Sequence, residues 1–206
     1  MSILYFVTPI LKTERQYLKL IENVVKADVD WIQLRIKSMP YREILSISDK
    51  VRNIIPRSKR FILNDYVDIA FLCNADGVHL GQKDIPVVAA KKLCNGLKRK
   101  LIIGKSTHSL KEVISAIKEK PDYISIGPIF TSSTKPEYTP IGIIGLRNIL
   151  LKISSGISLF TIGGISLYNV KTIVSLGIRN IALSESIYKA RNINTTVKRL
   201  KEILNT

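Results

Sequence analysis

Eight short apolar runs rich in β-branched residues recur along the whole chain, and this recurrence limits the possible folds more than any other feature. They are Ile3–Thr8, Trp31–Leu34, Phe61–Leu63, Gly77–Leu80, Leu101–Gly104, Tyr123–Ile126, Ser158–Ile162 and Asn180–Leu183. Each reads as a buried strand. Between them lie segments with helical spacing: Leu18, Ile21, Val24 and Val25 on one face; Val113, Ile114 and Ile117 on another; Val170, Ile173, Val174 and Ile178 on a third. Strands that alternate with helices pair in parallel through right-handed crossovers. Eight such units in 206 residues fit a closed (β/α)8 barrel near its minimum size. An open doubly wound sheet would not ordinarily need eight strands. No linker or low-complexity stretch divides the chain, so the expectation is an α/β protein: one TIM-barrel domain over residues 1–206.

Composition narrows the class. Hydrophobic residues make up 46% of the chain, enough for a core. No apolar run approaches the roughly 18 residues of a membrane span, and Met1–Thr8 reads as a first strand, not a leader. Cys73 and Cys94 have no metal-ligand spacing and read as reduced thiols of a cytoplasmic protein. The net charge of +16 suits anionic substrates drawn in by the field. Nucleic acid is not expected: Lys98-Arg99-Lys100 is the single run of three cations, and no aromatic residues interleave with it to stack bases.

In a barrel of this kind, chemistry sits where strands end. Strand 2 ends Gln33-Leu34-Arg35-Ile36-Lys37, and alternation puts Gln33, Arg35 and Lys37 on one side. Two cations and an amide would be costly in a dry core and suit a polar mouth. Strand 3 ends Asn64-Asp65. The fourth reaches Asp84 four residues past its end. Each aspartate has a structural alternative as a helix cap, and both together can reach one magnesium ion. Strand 5 leads into Ser106, Thr107 and His108, offering hydroxyls and either an acid–base histidine or a structural one, with Ser109 as the helix cap. Strand 6 runs into Gly127-Pro128-Ile129-Phe130-Thr131-Ser132-Ser133-Thr134-Lys135, which delivers hydroxyls and a cation to the same rim. Gly163-Gly164 after strand 7 lets backbone N–H groups approach an anion, or forms a tight turn with Ser166 as the cap. Strand 8 ends at Ser184-Glu185.

These motifs occur in a fixed order: Gln33-Leu34-Arg35-x-Lys37, Asn64-Asp65, Ala75-Asp76-Gly77-Val78-His79-Leu80-Gly81-Gln82-x-Asp84, Gly104-x-Ser106-x-His108, Gly127-Pro128-Ile129-Phe130 with Ser132-x-Thr134-Lys135, and Gly163-Gly164-Ile165. In that order the chain resembles the thiamine-phosphate synthase family from about Tyr5 to Ile187. The resemblance implies a (β/α)8 barrel that couples hydroxymethylpyrimidine diphosphate to thiazole phosphate with Mg²⁺, releasing pyrophosphate. It implies Asp65 and Asp84 as magnesium ligands. Arg35, Lys37, Asn64, Ser106 and Lys135 would hold the diphosphate, and Gln33 would contact the same substrate. Ser132 and Thr134 would contact the thiazole phosphate, with Gly163, Gly164, Ser184 and Glu185 forming the phosphate site after strands 7 and 8. Glu185 stands where the family usually has a small residue, and a carboxylate there repels phosphate unless it points outward. The related thiazole tautomerases, in which the residue matching His108 does acid–base work, and a non-catalytic phosphate-binding barrel are the alternatives. Retention of Asp84 and of Ser132-x-Thr134-Lys135 favours the synthase. Exposed helix faces on such barrels allow a homodimer.

Overall fold

The computed structural model describes residues 2–132, 138–153 and 156–206. The strands are β1 (Ile3–Val7), β2 (Trp31–Leu34), β3 (Arg60–Asn64), β4 (Gly77–Leu80), β5 (Ile102–Thr107), β6 (Tyr123–Ile126), β7 (Ser158–Thr161) and β8 (Asn180–Leu183). They close in sequence order into one barrel in which every neighbouring pair is parallel. Among the described residues, the helices are α1 (Glu14–Lys26), α2 (Tyr41–Ile54), α3 (Val67–Leu72), α4 (Val87–Gly96), α5 (Leu110–Glu119), α6 (Gly142–Leu150), α7 (Val170–Val174), α8 (Glu185–Tyr188) and α9 (Ile193–Leu204). This is the expected (β/α)8 architecture. No helix among them is long and apolar enough to cross a membrane.

Strand alternation divides the apolar residues into two cores. Outward residues such as Leu4, Phe6, Ile32, Leu34, Val78, Leu80, Ile124 and Ile126 pack against the helices in one large cluster. Inward residues form a smaller one, with Tyr5, Val7, Ile62, Tyr123, Phe160 and Ala182 at its centre and Trp31 against them. Inside the barrel, Tyr5, Trp31, Tyr123 and Phe160 make edge or tilted contacts with centroids 5.1–6.1 Å apart. That geometry is favoured by the ring quadrupoles, and the four rings plug the interior below the strand ends. Gly104 makes room for the plug: a Cβ there would lie 2.1 Å from the Tyr123 ring.

The helices follow local chemistry. Thr13 and Gln16 form a capping box at α1, the Thr13 hydroxyl accepting from the Gln16 N–H at 3.3 Å and Gln16 Oε1 from the Thr13 N–H at 3.2 Å. The buried face of α1 is Tyr17, Leu20, Ile21 and Val24, so the apolar stripe is turned slightly from the expected one, with Leu18 and Val25 at its margin. Ser109 caps α5 as expected, accepting from the Glu112 N–H at 3.2 Å. On that helix Val113 is buried whereas Ile114 is exposed. Cys73 and Cys94 are free and buried, and burial pushes the Cys73 thiol up to about 11.

Candidate active site

At the C-terminal ends of the strands the barrel opens into a cavity of about 320 Å³. Its walls bring together residues from strands far apart in sequence, including Gln33, Arg35, Asn64, Ser106, Ser132, Gly164 and Ser184. Its floor is a polar layer resting on the aromatic plug. Gln33 Nε2 donates to the Tyr5 hydroxyl at 2.6 Å, which lies 3.0 Å from that of Tyr123. The Tyr123 hydroxyl is 2.9 Å from His79 Nδ1, and His79 Nε2 is 2.8 Å from Ser106 Oγ. Burial holds both phenols well above their ordinary range, so they are neutral hydroxyls.

On the β1–β2 side the backbone is pinned before the guanidinium is offered. The Arg35 N–H donates to Thr8 Oγ1 at 2.8 Å, and the Arg35 carbonyl accepts from the Tyr17 hydroxyl at 3.1 Å. Arg35 Nη1 itself is buried with no hydrogen-bond partner among the described residues. A buried cationic donor without an acceptor is costly, and at a cavity wall it marks a place for an anion. Ser184 Oγ, also on the wall, is likewise buried and without a partner among the described residues.

Asp65 follows β3 with a left-handed backbone, φ 67°, a conformation aspartate tolerates better than most residues. It turns its carboxylate to Lys37, with which it forms an ion pair. Burial raises the Asp65 carboxyl above its ordinary range, Lys37 pulls it down, and the adjacent Asp84 carboxyl raises it again. Neither aspartate caps a helix: the N-cap positions of α3 and α4 are Tyr66 and Pro86, with no side-chain cap. Asp84 instead accepts from the Gly81 N–H at 2.6 Å, closing the turn after β4. Lys105, buried on the outer side of β5, donates to the Gly81 carbonyl at 2.9 Å and holds the same turn.

β5 extends further than its apolar run, so Ser106 lies on the strand and points inward beside His79. His108 lines the cavity but is engaged: Nδ1 is 2.9 Å from Glu112 Oε2, and the ring stacks on Tyr138 at 4.1 Å. Ser132 reaches the cavity wall; Thr134 and Lys135 lie outside the described residues. Gly163 and Gly164 have φ 98° and 63°, and a Cβ on Gly164 would meet the Thr131 carbonyl oxygen at 2.4 Å, so only glycine fits this turn. Ser166 does not cap α7. Asn169 organises the turn, its Nδ2 donating to the Gly164 carbonyl at 2.9 Å and its Oδ1 accepting from the Ser166 N–H at 2.8 Å. Glu185 borders the cavity and pairs with Lys189 at 3.1 Å, which balances its charge.

Sequence reasoning passed over Tyr5, Thr8, His79, Lys105, Tyr123 and Ser125. Alternation within β1, β4 and β6 carried the signal for most of them: counted back from Asn64 and Ser106, the inward positions of neighbouring strands fall on His79, Tyr123 and Ser125.

The family model described as thiamine monophosphate synthase matches residues 4–187. A thiamine-phosphate synthase from Gloeobacter violaceus is 34% identical over 98% of this chain, which spans 57% of that relative. One from Pelotomaculum thermopropionicum is 36% identical over 93% of this chain and 86% of its own length. The solved structure of thiamine phosphate pyrophosphorylase from Pyrococcus furiosus superposes with a TM-score of 0.84 at 29% identity, covering 99% of this chain and 96% of that one. With a matching family model over most of its length, relatives above 30% identity and the same closed barrel, this chain belongs to the thiamine monophosphate synthase family.

Proposed function

We propose that this protein is a transferase that joins hydroxymethylpyrimidine diphosphate to thiazole phosphate, forming thiamine phosphate and pyrophosphate. The observation that carries this reading is the buried Arg35 Nη1, without a partner among the described residues and set in the wall of a cavity that also offers Gln33, Asn64 and Ser106. Such a wall suits a small ring with an anionic tail.

In the reaction, the bond between the pyrimidine's exocyclic carbon and the diphosphate oxygen breaks, its electron pair leaving with pyrophosphate. The aminopyrimidine ring shares the positive charge left behind, so no protein nucleophile is required. The thiazole nitrogen then supplies the electron pair for the new C–N bond. Arg35 and Lys37, together with Lys135 of the strand 6 loop motif, stabilise the growing negative charge. Gln33 and Ser106 orient the first substrate. Ser132 and Thr134, with the Gly163-Gly164 turn and Ser184, hold the second, and proximity supplies much of the rate.

The same proposal includes Mg²⁺. Asp65 and Asp84 fit it: the two carboxylates are brought together although burial and the Asp84 carboxyl both raise Asp65 above its ordinary range, and Lys37 offsets only part of that. Among the described residues no group of three or more His, Cys, Asp or Glu converges, which suits an ion that takes one or two carboxylates and fills its shell with water and phosphate oxygens. When bound, it would neutralise charge on the diphosphate. Self-association also belongs to the proposal, supported by exposed Ile144 on α6 and Leu151 just beyond it.

The test is one assay: protein, hydroxymethylpyrimidine diphosphate, thiazole phosphate and Mg²⁺, with thiamine phosphate followed as fluorescent thiochrome and EDTA as the control. Metal-dependent product is expected. A folded protein that yields none would refute the synthase reading.

A further inference from the structure

The polar floor of the cavity has a direction. Gln33 Nε2 is only a donor, so the Tyr5 oxygen accepts from it at 2.6 Å. Tyr5 is buried, and its own hydrogen finds an acceptor within the layer at the Tyr123 oxygen, 3.0 Å away. The Tyr123 hydrogen in turn has His79 Nδ1 at 2.9 Å. An imidazole that accepts at Nδ1 carries its proton on Nε2, where Ser106 Oγ lies at 2.8 Å and Ser125 Oγ at 3.4 Å. With the Gln33 amide nitrogen turned to Tyr5, running the other way would leave the Tyr5 oxygen accepting twice and its hydrogen without a partner in the layer. In the favoured direction, the Gln33 amide has committed one N–H to Tyr5 and leaves its Oε1 to accept, and Ser106, already accepting, keeps its own hydrogen for the cavity that both residues line.

We propose that Tyr5, Tyr123 and His79 are positioning residues whose one-way hydrogen-bond run presents Gln33 to the cavity as an acceptor and Ser106 as a donor. Only the identity of the ligand rests on the synthase reading. The run selects a ring whose exocyclic amine faces Gln33 and whose phosphate oxygen faces Ser106. An analogue with an oxo group in place of that amine sets acceptor against acceptor and is rejected.

Two measurements test this. The chain has 2 histidines, so ¹⁵N-histidine NMR of the intact protein, with His108→Gln to assign the signals, reads the His79 tautomer directly. A bare Nδ1 and protonated Nε2 are expected; a protonated Nδ1 overturns the proposal, whether or not the protein turns over. The second compares amino and oxo pyrimidine diphosphates in wild type and Tyr123→Phe. Without the Tyr123 hydroxyl, Tyr5 loses its acceptor and can donate to a turned Gln33 amide, so preference for the amine should fall about tenfold or more. Tyr5→Phe, which frees the same amide from the other side, should relax it too and serves if Tyr123→Phe does not fold. A lower melting temperature with unchanged preference in a folded variant would make the run merely structural and overturn the proposal. Absence of turnover with either analogue in wild type would sink the synthase reading instead, leaving the tautomer to decide the run.

Discussion

Asp84 accepts the Gly81 N–H at 2.6 Å and lies against Asp65, so its structural and charge roles can be separated. In Asp84→Asn the amide oxygen still accepts from Gly81, and the amide N–H₂ can donate to Asp65. Turnover with Mg²⁺ is expected to fall about 100-fold or more, with a melting temperature close to wild type. Rates at graded Mg²⁺ check this; an unchanged metal dependence removes Asp84 from the proposed ion site. Arg35 gives a complementary case. Its backbone is fixed through Thr8 and Tyr17, so Arg35→Lys keeps the charge and loses the planar fork. A loss of about 1.5–3 kcal/mol of transition-state binding is expected, roughly ten- to hundredfold in kcat/KM. Equal rates for the two residues would mean that only the charge matters.

Strands were legible as elements because each is a short β-branched run, and their inward-facing polar ends marked Gln33, Arg35, Asn64 and Ser106 as cavity residues. The helical faces were less so: on α5, Ile114 belongs to the apolar pattern yet lies exposed, since only packing decides which edge of a broad stripe meets the sheet. The floor was hidden for another reason. Tyr5, His79 and Tyr123 sit in strands where an aromatic or histidine passes as core, and their alliance needs the barrel closed. Gly104 was noted only as part of a motif, because the sequence does not show that β5 must yield to the Tyr123 ring. Gly104→Ala therefore tests the element: its methyl would overlap that ring, with Cζ at 2.1 Å. Overpacking should destabilise the fold by about 1–3 kcal/mol and weaken turnover by displacing Tyr123 from His79. Unchanged denaturant midpoint and activity would show that the plug yields freely.

Across the whole molecule, the cavity and the ties that fix strand register lie at opposite ends of the barrel. Asp30, Asp76 and Asp122 each stand immediately before an even-numbered strand and tie it to the strand before. Their carboxylates accept the N–H groups of Leu4, Phe61 and Ile103 at 2.8, 2.7 and 2.7 Å. Their own N–H groups donate to the carbonyls of the same three residues at 3.0, 2.8 and 2.8 Å. Repeated on β1–β2, β3–β4 and β5–β6, these double ties fix register at the N-terminal rim, where such barrels keep stability rather than chemistry. Asp76 also holds the buried Arg52 guanidinium at 2.8 Å. Its removal leaves a buried cation uncompensated, so Asp76→Ala should cost about 3–5 kcal/mol. Asp122→Ala, which loses only the hydrogen bond, should cost about 1–3 kcal/mol, and Asp122→Asn, which keeps a carbonyl acceptor, less. Because the ties lie at the rim opposite the cavity, kcat of each folded variant at low temperature should match wild type while its denaturant midpoint falls in that order. A drop in kcat without a matching shift in midpoint would show that strand register at the far rim is transmitted to the site.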